Sequence, residues 1–591
     1  MDNESTFVAP EGVYTVTDEH KPPPNFAPYG GPAVYPSKVS SVVVTFPATK
    51  QQSGAPGFVQ LLGGNKDTKK DKTNGLKERE DGISLSSSDT PDEADQPTST
   101  QEHAPTSPSA SQEPHTLFSH NPTASGKKKQ TVRPKHNIRT TSSTFITRIQ
   151  NAEGLVKTLQ SKQGDTTFLF YNLAKSWLWI EAGSKAKDPL SRITFSKHPT
   201  CHDVNASTAS PEHLDVVIGF SSGDLVWLDP ITSRYARLNK QGCISNSPCT
   251  AVRWVPSSST LFIVSHADGT IVVYDKERDD GAFVPQDPIG KSTDLNGASS
   301  SEDGSQREWD PTDSIFVTMP PWHPVTSGGG LSSNGKPDKE KAAKNPVSHW
   351  RVSRRSIVDF VFSPDVKYVG AISEDGCLRV IDALAEQLVD CYASYFGALT
   401  CIAWSHDGRF ILACTDHIEP RPASLILVVA RCQGHSSFVS ALAFDDLRCD
   451  GRTYRFGSVG EDNKLILWDF SSGALHRPKF QASHHQRMSM SSTISLALRR
   501  DRSAQYLPSI NSPGLEGRSF RYHPAPSRNE TAVVQPVLVK NIEGDILTAI
   551  SFLPRSILTT TKSGHVKFWI RPLALRSRTK TSRAVDIDPL T

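Results

Sequence analysis

The fold is decided by residues 462–469, which read DNKLILWD. The same eight-residue pattern recurs at residues 222–229 (SGDLVWLD), 268–275 (DGTIVVYD), 375–382 (DGCLRVID) and 563–570 (SGHVKFWI). Each copy begins with Asp or Ser followed by Gly or Asn, a pair that suits a tight hairpin turn, and continues into apolar positions that are typical of a buried strand. A turn that leads into a buried strand is therefore repeated along the chain, and such internal repeats determine the architecture.

The upstream part of each unit repeats as well. Strand-like runs with alternating polar and apolar positions occur at residues 250–255, 357–363, 399–405, 439–445 and 547–552. Each unit therefore contains strand, turn, strand, tight turn and strand in roughly 40 residues, the spacing of a propeller blade. Residues 375 and 462 are about two such units apart, which places a degenerate copy near Asp416. With residues 166–180 as further strands, we expect an all-β chain that forms a single WD40 β-propeller of seven blades.

Composition locates the segments outside this propeller. Only 36% of the 591 residues are hydrophobic, and the polar residues are concentrated in low-complexity stretches that cannot bury a core. We expect a largely disordered N-terminal region (1–139), a propeller (140–572) with low-complexity insertions at 278–346 and 481–535, and a C-terminal tail (573–591). Near the N-terminus, residues 42–46 and 58–62 are apolar enough to dock on the propeller as short elements.

Charge and cysteine usage exclude several classes of protein. The net charge of +3 gives no general attraction to nucleic acid, and the nine cysteines form no C-x-x-C pair that would indicate a disulfide framework or a zinc site. No apolar stretch approaches a membrane span, and the first residues lack a signal-peptide core. We expect an intracellular, cytoplasmic protein without metal or cofactor. Lysines 127–129 are a candidate nuclear import signal, although such clusters are more often solvated tails.

The complete repeat predicts a buried polar relay. His435, Ser458, Asp462 and Trp468 are spaced so that the indole can donate to the hydroxyl, the hydroxyl can bond the imidazole, and the imidazole can bond the carboxylate. We interpret this set as the structural tetrad of a WD repeat, not as a catalytic triad. In other repeats this position holds Leu228, Tyr274 or Ile381, which cannot reproduce the indole donor, and we expect those blades to rely on apolar packing.

Motifs that resemble catalytic sites do not fit their sequence context. Residues 219–223 (GFSSG) match the G-x-S-x-G nucleophile pattern, but that chemistry needs the serine between a strand and a helix, and here a strand follows. Residues 290–292 (GKS) end like a phosphate-binding loop, yet Pro285 stands where its first glycine is required. The sequence therefore predicts no enzyme activity.

Two adjacent loops that enter the first strand of a blade carry bulky aromatic residues. One loop holds Tyr395 and Phe396, and the next holds Phe438. Exposed aromatic side chains frequently anchor protein interfaces, although these rings could equally fold onto the blade edge. Gly397 and the serines before Phe438 leave both loops without an obvious local core, which favours a contact with a partner.

Several runs resemble the WD-repeat family of fungal CreC: residues 201–205 (CHDVN), 217–229 (VIGFSSGDLVWLD), 235–240 (YARLNK), 269–277 (GTIVVYDKE), 394–397 and 434–469. The resemblance covers residues 140–572, and the family includes animal WD-repeat cofactors of ubiquitin-specific proteases. It implies a non-catalytic scaffold that binds and stabilises or activates a deubiquitinating enzyme, called CreB in fungi, in carbon catabolite repression. It also implies that the rings at Phe396 and Phe438 face the protease.

One segment departs from the family pattern. Relatives have an Asp-Asp turn and an apolar strand where residues 417–423 read HIEPRPA, and two prolines cannot lie in a central paired strand. The alternative function is a peptide-binding adaptor such as the substrate receptor of a ubiquitin ligase. That class should carry a helical linker domain before the blades, and residues 1–164 show no helical bundle pattern.

Overall fold

The computed structural model describes residues 4–21, 35–48, 132–140, 143–184, 188–286, 288, 309–322, 343–395, 397–415, 423–426, 430–471, 521–525 and 532–572. These residues form seven separate β-sheets, one short α-helix (Leu155–Gln160) and the 3-10 turns Lys240–Gly242 and Asp446–Arg448. Within these ranges, no helix has the length and apolarity needed to cross a membrane.

Each sheet is one blade, and the blades are numbered here in the order in which they adjoin. Blade 7 contains the first two and the last three strands of the chain, β1 (Thr6–Ala9), β2 (Gly12–His20), β32 (Leu547–Phe552), β33 (Ser556–Thr561) and β34 (Val566–Ile570). Blade 1 contains β3 (Val39–Phe46), β5 (Ile146–Asn151), β6 (Gly164–Leu173), β7 (Ser176–Glu181) and β8 (Ser191–Phe195). Blade 2 contains β4 (His136–Asn137), β9 (Pro199–Val204), β10 (Val216–Phe220), β11 (Leu225–Asp229) and β12 (Arg234–Leu238).

The remaining four blades follow in chain order. Blade 3 contains β13 (Cys249–Trp254), β14 (Leu261–His266), β15 (Thr270–Asp275), β16 (Phe316–Thr318) and β17 (Ser348–Arg351). Blade 4 contains β18 (Ile357–Phe362), β19 (Tyr368–Ser373), β20 (Cys377–Asp382), β21 (Gln387–Ala393) and β29 (Tyr522–His523). Blade 5 contains β22 (Leu399–Trp404), β23 (Ile411–Thr415), β24 (Ala423–Ile426), β25 (Ala430–His435) and β30 (Ala532–Val534). Blade 6 contains β26 (Val439–Phe444), β27 (Thr453–Gly460), β28 (Lys464–Ser471) and β31 (Pro536–Asn541).

The five repeats form the turns and strands that the sequence predicts. Each repeat supplies the tight turn before β11, β15, β20, β28 or β34, and the upstream runs form the inner strands β13, β18, β22, β26 and β32. The second residue of the turn has the left-handed conformation that Gly and Asn tolerate, with φ of 77° at Gly376 and 58° at Asn463. The all-β propeller is therefore confirmed, and the described residues form seven sheets.

Seven apolar clusters close the sheets into a ring. Each cluster combines buried side chains of two adjoining blades, from blades 1 and 2 round to blades 7 and 1. The last junction packs Leu169 and Tyr171 of blade 1 against Leu558 and Phe568 of blade 7. Because each of the seven sheets packs against a neighbour on both sides, the burial of apolar surface is distributed around the whole ring.

Four strands that precede residue 140, β1 to β4, belong to the ring, which corrects the boundary expected there. β2 pairs antiparallel with β34, and β3 pairs antiparallel with β6, so the start of the chain completes both blade 7 and blade 1. The rings of Phe7 and Tyr14 stack with centroids 4.7 Å apart, and Phe7 lies 5.2 Å from Trp569. Residues 42–46 dock as expected, whereas residues 58–62, the lysines 127–129 and the tail 573–591 lie outside the described residues.

The two insertions also contribute strands, although the sequence predicts only low complexity there. β16 comes from the insertion at 278–346 and pairs with β17. β29 and β30 come from the insertion at 481–535 and add in parallel to β21 and β25, at the outer edges of blades 4 and 5. Short strands can add to an exposed sheet edge without a hydrophobic pattern of their own, because main-chain hydrogen bonds supply much of the interaction.

Candidate partner-binding site

The site expected from the sequence lies where the chain enters the inner strands of blades 5 and 6. The two loops, residues 394–398 and 436–438, are called the tip loops below. Tyr395 and Phe438 are both half-buried, and Phe396 lies outside the described residues. The structure therefore brings Tyr395 and Phe438 to the same end of adjacent inner strands, each with part of its ring accessible.

The second tip loop is held by the polar relay of blade 6. His435 Nδ1 lies 2.9 Å from Asp462 Oδ1, His435 Nε2 lies 2.7 Å from Ser458 Oγ, and the Trp468 indole donates to Ser458 Oγ at 2.9 Å. These are the bonds that the sequence interpretation assigns to the tetrad. All four side chains are buried, so each polar atom needs the partner that the relay provides.

The relay continues into the loop itself. Asp462 Oδ2 accepts hydrogen bonds from the Ser436 amide at 2.8 Å and from the Ser436 hydroxyl at 3.2 Å, and the Glu461 amide donates to the Phe438 carbonyl at 2.8 Å. Burial alone would raise the pKa of Asp462, but its hydrogen bond to His435 holds that pKa well below the usual range. The carboxylate is therefore ionised at neutral pH, and it fixes the backbone that presents Phe438.

Close backbone approach is required beside this relay. A Cβ at Gly460 would lie 2.6 Å from the Phe438 carbonyl oxygen and 3.0 Å from His435 Nδ1. A Cβ at Gly434 would lie 2.9 Å from the Trp468 ring. Both glycines allow the loop to sit directly on the relay, which sequence reasoning did not identify.

The first tip loop is held by a glycine turn in blade 4. The Ser394 amide donates to the Gly376 carbonyl at 2.8 Å, and the Ser394 hydroxyl donates to the Gly397 carbonyl at 3.0 Å. A Cβ at Gly376 would lie 2.5 Å from that same Gly397 oxygen. Ser394 therefore attaches the loop that carries Tyr395 to the blade and also bonds its far end at Gly397.

Blade 4 replaces the tetrad by a buried arginine, which corrects the expectation that incomplete repeats depend on apolar packing alone. Arg379 is fully buried and donates to Ser373 Oγ at 2.7 Å and to Asp375 Oδ2 at 2.7 Å. Ser353 occupies the role of the missing histidine, and its hydroxyl donates to Asp375 Oδ2 at 2.8 Å. The guanidinium forms an ion pair where blade 6 uses a neutral indole.

Blade 2 carries a second charged network, again where the sequence predicts apolar packing. His213 Nδ1 lies 2.9 Å from Asp229 Oδ2, and its Nε2 lies 3.0 Å from Asp215 Oδ2. Lys276 Nζ donates to Asp215 Oδ2 at 2.7 Å, and the Trp227 indole donates to Asp215 Oδ1 at 2.6 Å. These five side chains are all buried, which makes mutual satisfaction essential.

The electrostatics of the blade 2 network follow from its carboxylates. Burial alone would lower the pKa of His213, but hydrogen bonds to Asp215 and Asp229 raise it to about 9. Burial would likewise raise the pKa of Asp215, but His213 and Lys276 lower it to about 2. At neutral pH His213 is therefore protonated and faces the ionised carboxylate of Asp215.

Blade 7 keeps one link of the tetrad. The Trp569 indole donates to Thr559 Oγ1 at 3.0 Å, with the same ten-residue separation that joins Trp468 to Ser458. Thr559 and Trp569 are both buried. The pattern SGHVKFWI lacks the initial Asp, and the relay ends at the threonine.

Two comparisons place the chain among known proteins. The model of the WD domain, G-beta repeat, matches residues 389–418. A relative from Schizosaccharomyces pombe (strain 972 / ATCC 24843), the UBP9-binding protein bun62, is 33% identical over 441 residues, which cover 73% of this chain and 75% of the relative. The chain belongs to the bun62 family of WD-repeat proteins. A chain in the crystal structure of the mitotic checkpoint complex is similar at 9% identity and a TM-score of 0.40, covering 72% of this chain and 96% of that chain.

In this bun62-family chain, the motifs that resemble enzyme sites do not have the structural surroundings of those sites. Residues 219–223 run from the end of β10 into the turn before β11, so the serine lacks the helix that a nucleophile elbow requires. Burial raises the pKa of Cys201 to about 12, which disfavours the reactive thiolate. Among the residues that the structure describes, no group of three or more His, Cys, Asp or Glu side chains is arranged to hold a metal ion.

Proposed function

We propose that this chain is a non-catalytic WD-repeat scaffold that binds a ubiquitin-specific protease and stabilises or activates it. The observation that carries the proposal is the 33% identity to a relative that is named for binding UBP9. The arrangement of the tip loops supports it, because two half-buried aromatic rings stand at one end of adjacent blades on hydrogen-bonded loops. Anchored loops lose little conformational freedom on binding, which favours affinity.

Phe438 is the anchor that the geometry supports best. Its carbonyl is bonded to the Glu461 amide, and its neighbour Ser436 is bonded to Asp462, so the backbone position is set before a partner arrives. Burying the accessible part of such a ring at the centre of an interface contributes about 2 kcal/mol. Tyr395 extends the same surface on the neighbouring loop.

The more specific assignment is also a proposal. The resemblance to the CreC family supports a CreB-like deubiquitinating enzyme as the partner and a role in carbon source utilisation and catabolite repression. The same resemblance supports an intracellular, cytoplasmic location, where ubiquitin-specific proteases meet their conjugated substrates.

Calorimetric titration of the purified chain with a purified ubiquitin-specific protease tests the proposal, together with ubiquitin-conjugate hydrolysis by each protein alone and by the mixture. We expect saturable binding, faster or longer-lasting hydrolysis in the mixture, and no hydrolysis by this chain alone. Hydrolysis by this chain alone would contradict the scaffold. Co-purification with a ubiquitin ligase in place of a protease would favour the substrate-receptor function.

A further inference from the structure

A cleft of about 690 Å³ opens between blades 4 and 5, and it is lined by the turns that follow β18 and β22 and by residues of β20 and β21. Its floor and walls include the rings of Tyr368, Tyr392, Trp404 and Phe410. The inner strands β18 and β22 end at Phe362 and Trp404, beside the turns that rim the cleft, whereas the tip loops precede the first residues of β22 and β26. A six-residue strand spans about 20 Å, so the turns at Asp365 and Asp407 lie roughly that far from the tip loops, whereas the Tyr392 side of the cleft is separated from the first tip loop by Ala393 alone.

The junction between these two blades leaves the aromatic rings accessible. Its buried cluster consists of only Ile372, Leu378, Leu399, Ile402 and Ala413. Tyr368, Tyr392, Trp404 and Phe410 are all half-buried, and the Trp404 indole donates to the Gly408 carbonyl at 3.1 Å, which holds the ring at the rim. Half-exposed aromatic rings that line a concave surface are typical of sites that bind peptides.

The rim of the cleft is acidic. Asp365 and Asp407 stand in equivalent turns, where Ser363 Oγ donates to Asp365 at 2.5 Å and Ser405 Oγ donates to Asp407 at 2.7 Å. The hydrogen bond from Ser363 lowers the pKa of Asp365, and burial would raise the pKa of Asp407 but its bond from Tyr454 lowers it. Both carboxylates are therefore ionised at neutral pH.

Asp390 adds a third carboxylate to the lining, whereas Arg409 is the one arginine or lysine among the lining residues. The Arg409 side chain is largely exposed; its Nε lies 3.8 Å from Asp407 Oδ2, and its guanidinium also donates to the Gly451 carbonyl of the neighbouring blade at 3.1 Å. Lys367 Nζ also lies 5.0 Å from the centroid of the Tyr368 ring, so three carboxylates stand beside two cations. The carboxylates and the aromatic faces favour a cationic side chain over an anionic one.

A segment of the chain itself shows this chemistry at the edge of the cleft. His523, in β29, stacks on Tyr392 with ring centroids 4.6 Å apart, and its Nε2 lies 2.7 Å from Asp390 Oδ1. The same segment pairs in parallel with β21 through Tyr522 and His523. The Tyr392 and Asp390 pair thus already receives a titratable nitrogen side chain from an extended strand.

We propose that the cleft between blades 4 and 5 binds a linear peptide segment of a partner protein that inserts an arginine or lysine between the aromatic rings and the carboxylates of Asp365, Asp390 and Asp407. The proposal does not depend on the proposed protease partner.

Selection of a phage-displayed library of linear seven-residue peptides on the full chain tests the proposal. The selected peptides are then labelled and titrated by fluorescence anisotropy. We expect the selected peptides to contain Arg or Lys, and the double variant Asp365→Asn/Asp390→Asn to bind them about tenfold more weakly, since one charged contact is worth about that factor. Asparagine retains the size and the acceptor oxygen of each aspartate, so the fold should be kept.

Two controls separate the cleft from other surfaces. Asp268→Asn changes a turn aspartate in blade 3 that accepts the Thr270 amide at 3.0 Å, and it should leave peptide affinity unchanged. Phe438→Ala should leave it unchanged as well. Failure to select any peptide, selection of acidic peptides, or equal affinity for the double variant would overturn the proposal. Self-association of the chain that the double variant abolishes would assign the cleft to a second copy instead.

Discussion

Blades 2 and 6 both satisfy buried polar side chains, but they do so with different chemistry. Blade 6 connects its strands through a relay from the Trp468 indole to Asp462, in which Asp462 also caps a tip loop. Blade 2 places Lys276 and His213 against two buried aspartates. The relay of blade 6 contains one carboxylate, which hydrogen bonds satisfy. The buried ion cluster of blade 2 is stable only while every charge has its counterpart. The difference predicts that blade 2 is the more sensitive to mutation and to pH.

Removal of the buried lysine is expected to have the largest effect. Lys276→Met leaves the carboxylate of Asp215 without its 2.7 Å partner in a site where both residues are buried. Breaking one side of such a pair costs about 4 kcal/mol of unfolding free energy. Urea denaturation followed by tryptophan fluorescence measures the change.

The pair of Lys135 and Asp279 provides a matched control, since its N–O distance of 2.8 Å is close to that of the buried pair but both side chains are exposed. Lys135→Met should cost less than about 1 kcal/mol, because solvent screens the pair. If the two lysine variants unfold at the same urea concentration, the blade 2 cluster has no special role.

The pH dependence of blade 2 should come next in size. Because the pKa of His213 is raised to about 9 in the folded chain, from an ordinary value near 6.5, its stabilisation is complete below about pH 6.5 and is lost as the pH rises through 9. Wild type should lose about 3 kcal/mol between these limits relative to His213→Gln. Denaturation curves at pH 6 and pH 9.5 measure this difference, and an equal loss in the two proteins would contradict the network.

Blade 6 should respond more mildly. Trp468→Phe removes the indole donor to Ser458, and we expect it to cost about 2 kcal/mol, with loosening of the Ser436 backbone through Asp462. Trp569→Phe in blade 7 is the comparison, since its indole makes a single bond to Thr559, and it should cost about 1 kcal/mol. Thermal melts and amide exchange at Ser436 distinguish the two variants; equal losses without a change at Ser436 would show that the relay does not support the loop.

The sequence predicts blade 6 and misses blade 2 for a physical reason. The relay of blade 6 depends on residues at fixed positions of one repeat, so His435, Ser458, Asp462 and Trp468 can be identified by spacing. The network of blade 2 joins His213 to Lys276, which belong to different blades and meet only after the ring has closed. Trp227 is the sixth residue of its repeat, whereas Trp468 is the seventh of its own. Comparison of the repeats therefore does not identify Trp227 as a donor.

The ring closure was predictable only in part. The repeats determine which strands form each blade, but β1 and β2 match no repeat and were assigned to a region expected to be largely disordered. They are recognisable only from their pairing with β34 and from the contact of Phe7 with Trp569. Likewise, the sequences of β29 and β30 show no strand pattern. These strands are recognisable only from their pairing with the edges of blades 4 and 5.

The central claim is that the propeller presents Phe438 to a ubiquitin-specific protease. The most direct test is calorimetric titration of the protease with wild type and with Phe438→Ala, together with a thermal melt of each. We predict that the variant binds about 2 kcal/mol more weakly, roughly thirtyfold in affinity, and melts at the wild-type temperature. An early melt with normal affinity in the folded protein would show instead that the ring belongs to the blade core and that the binding face lies elsewhere.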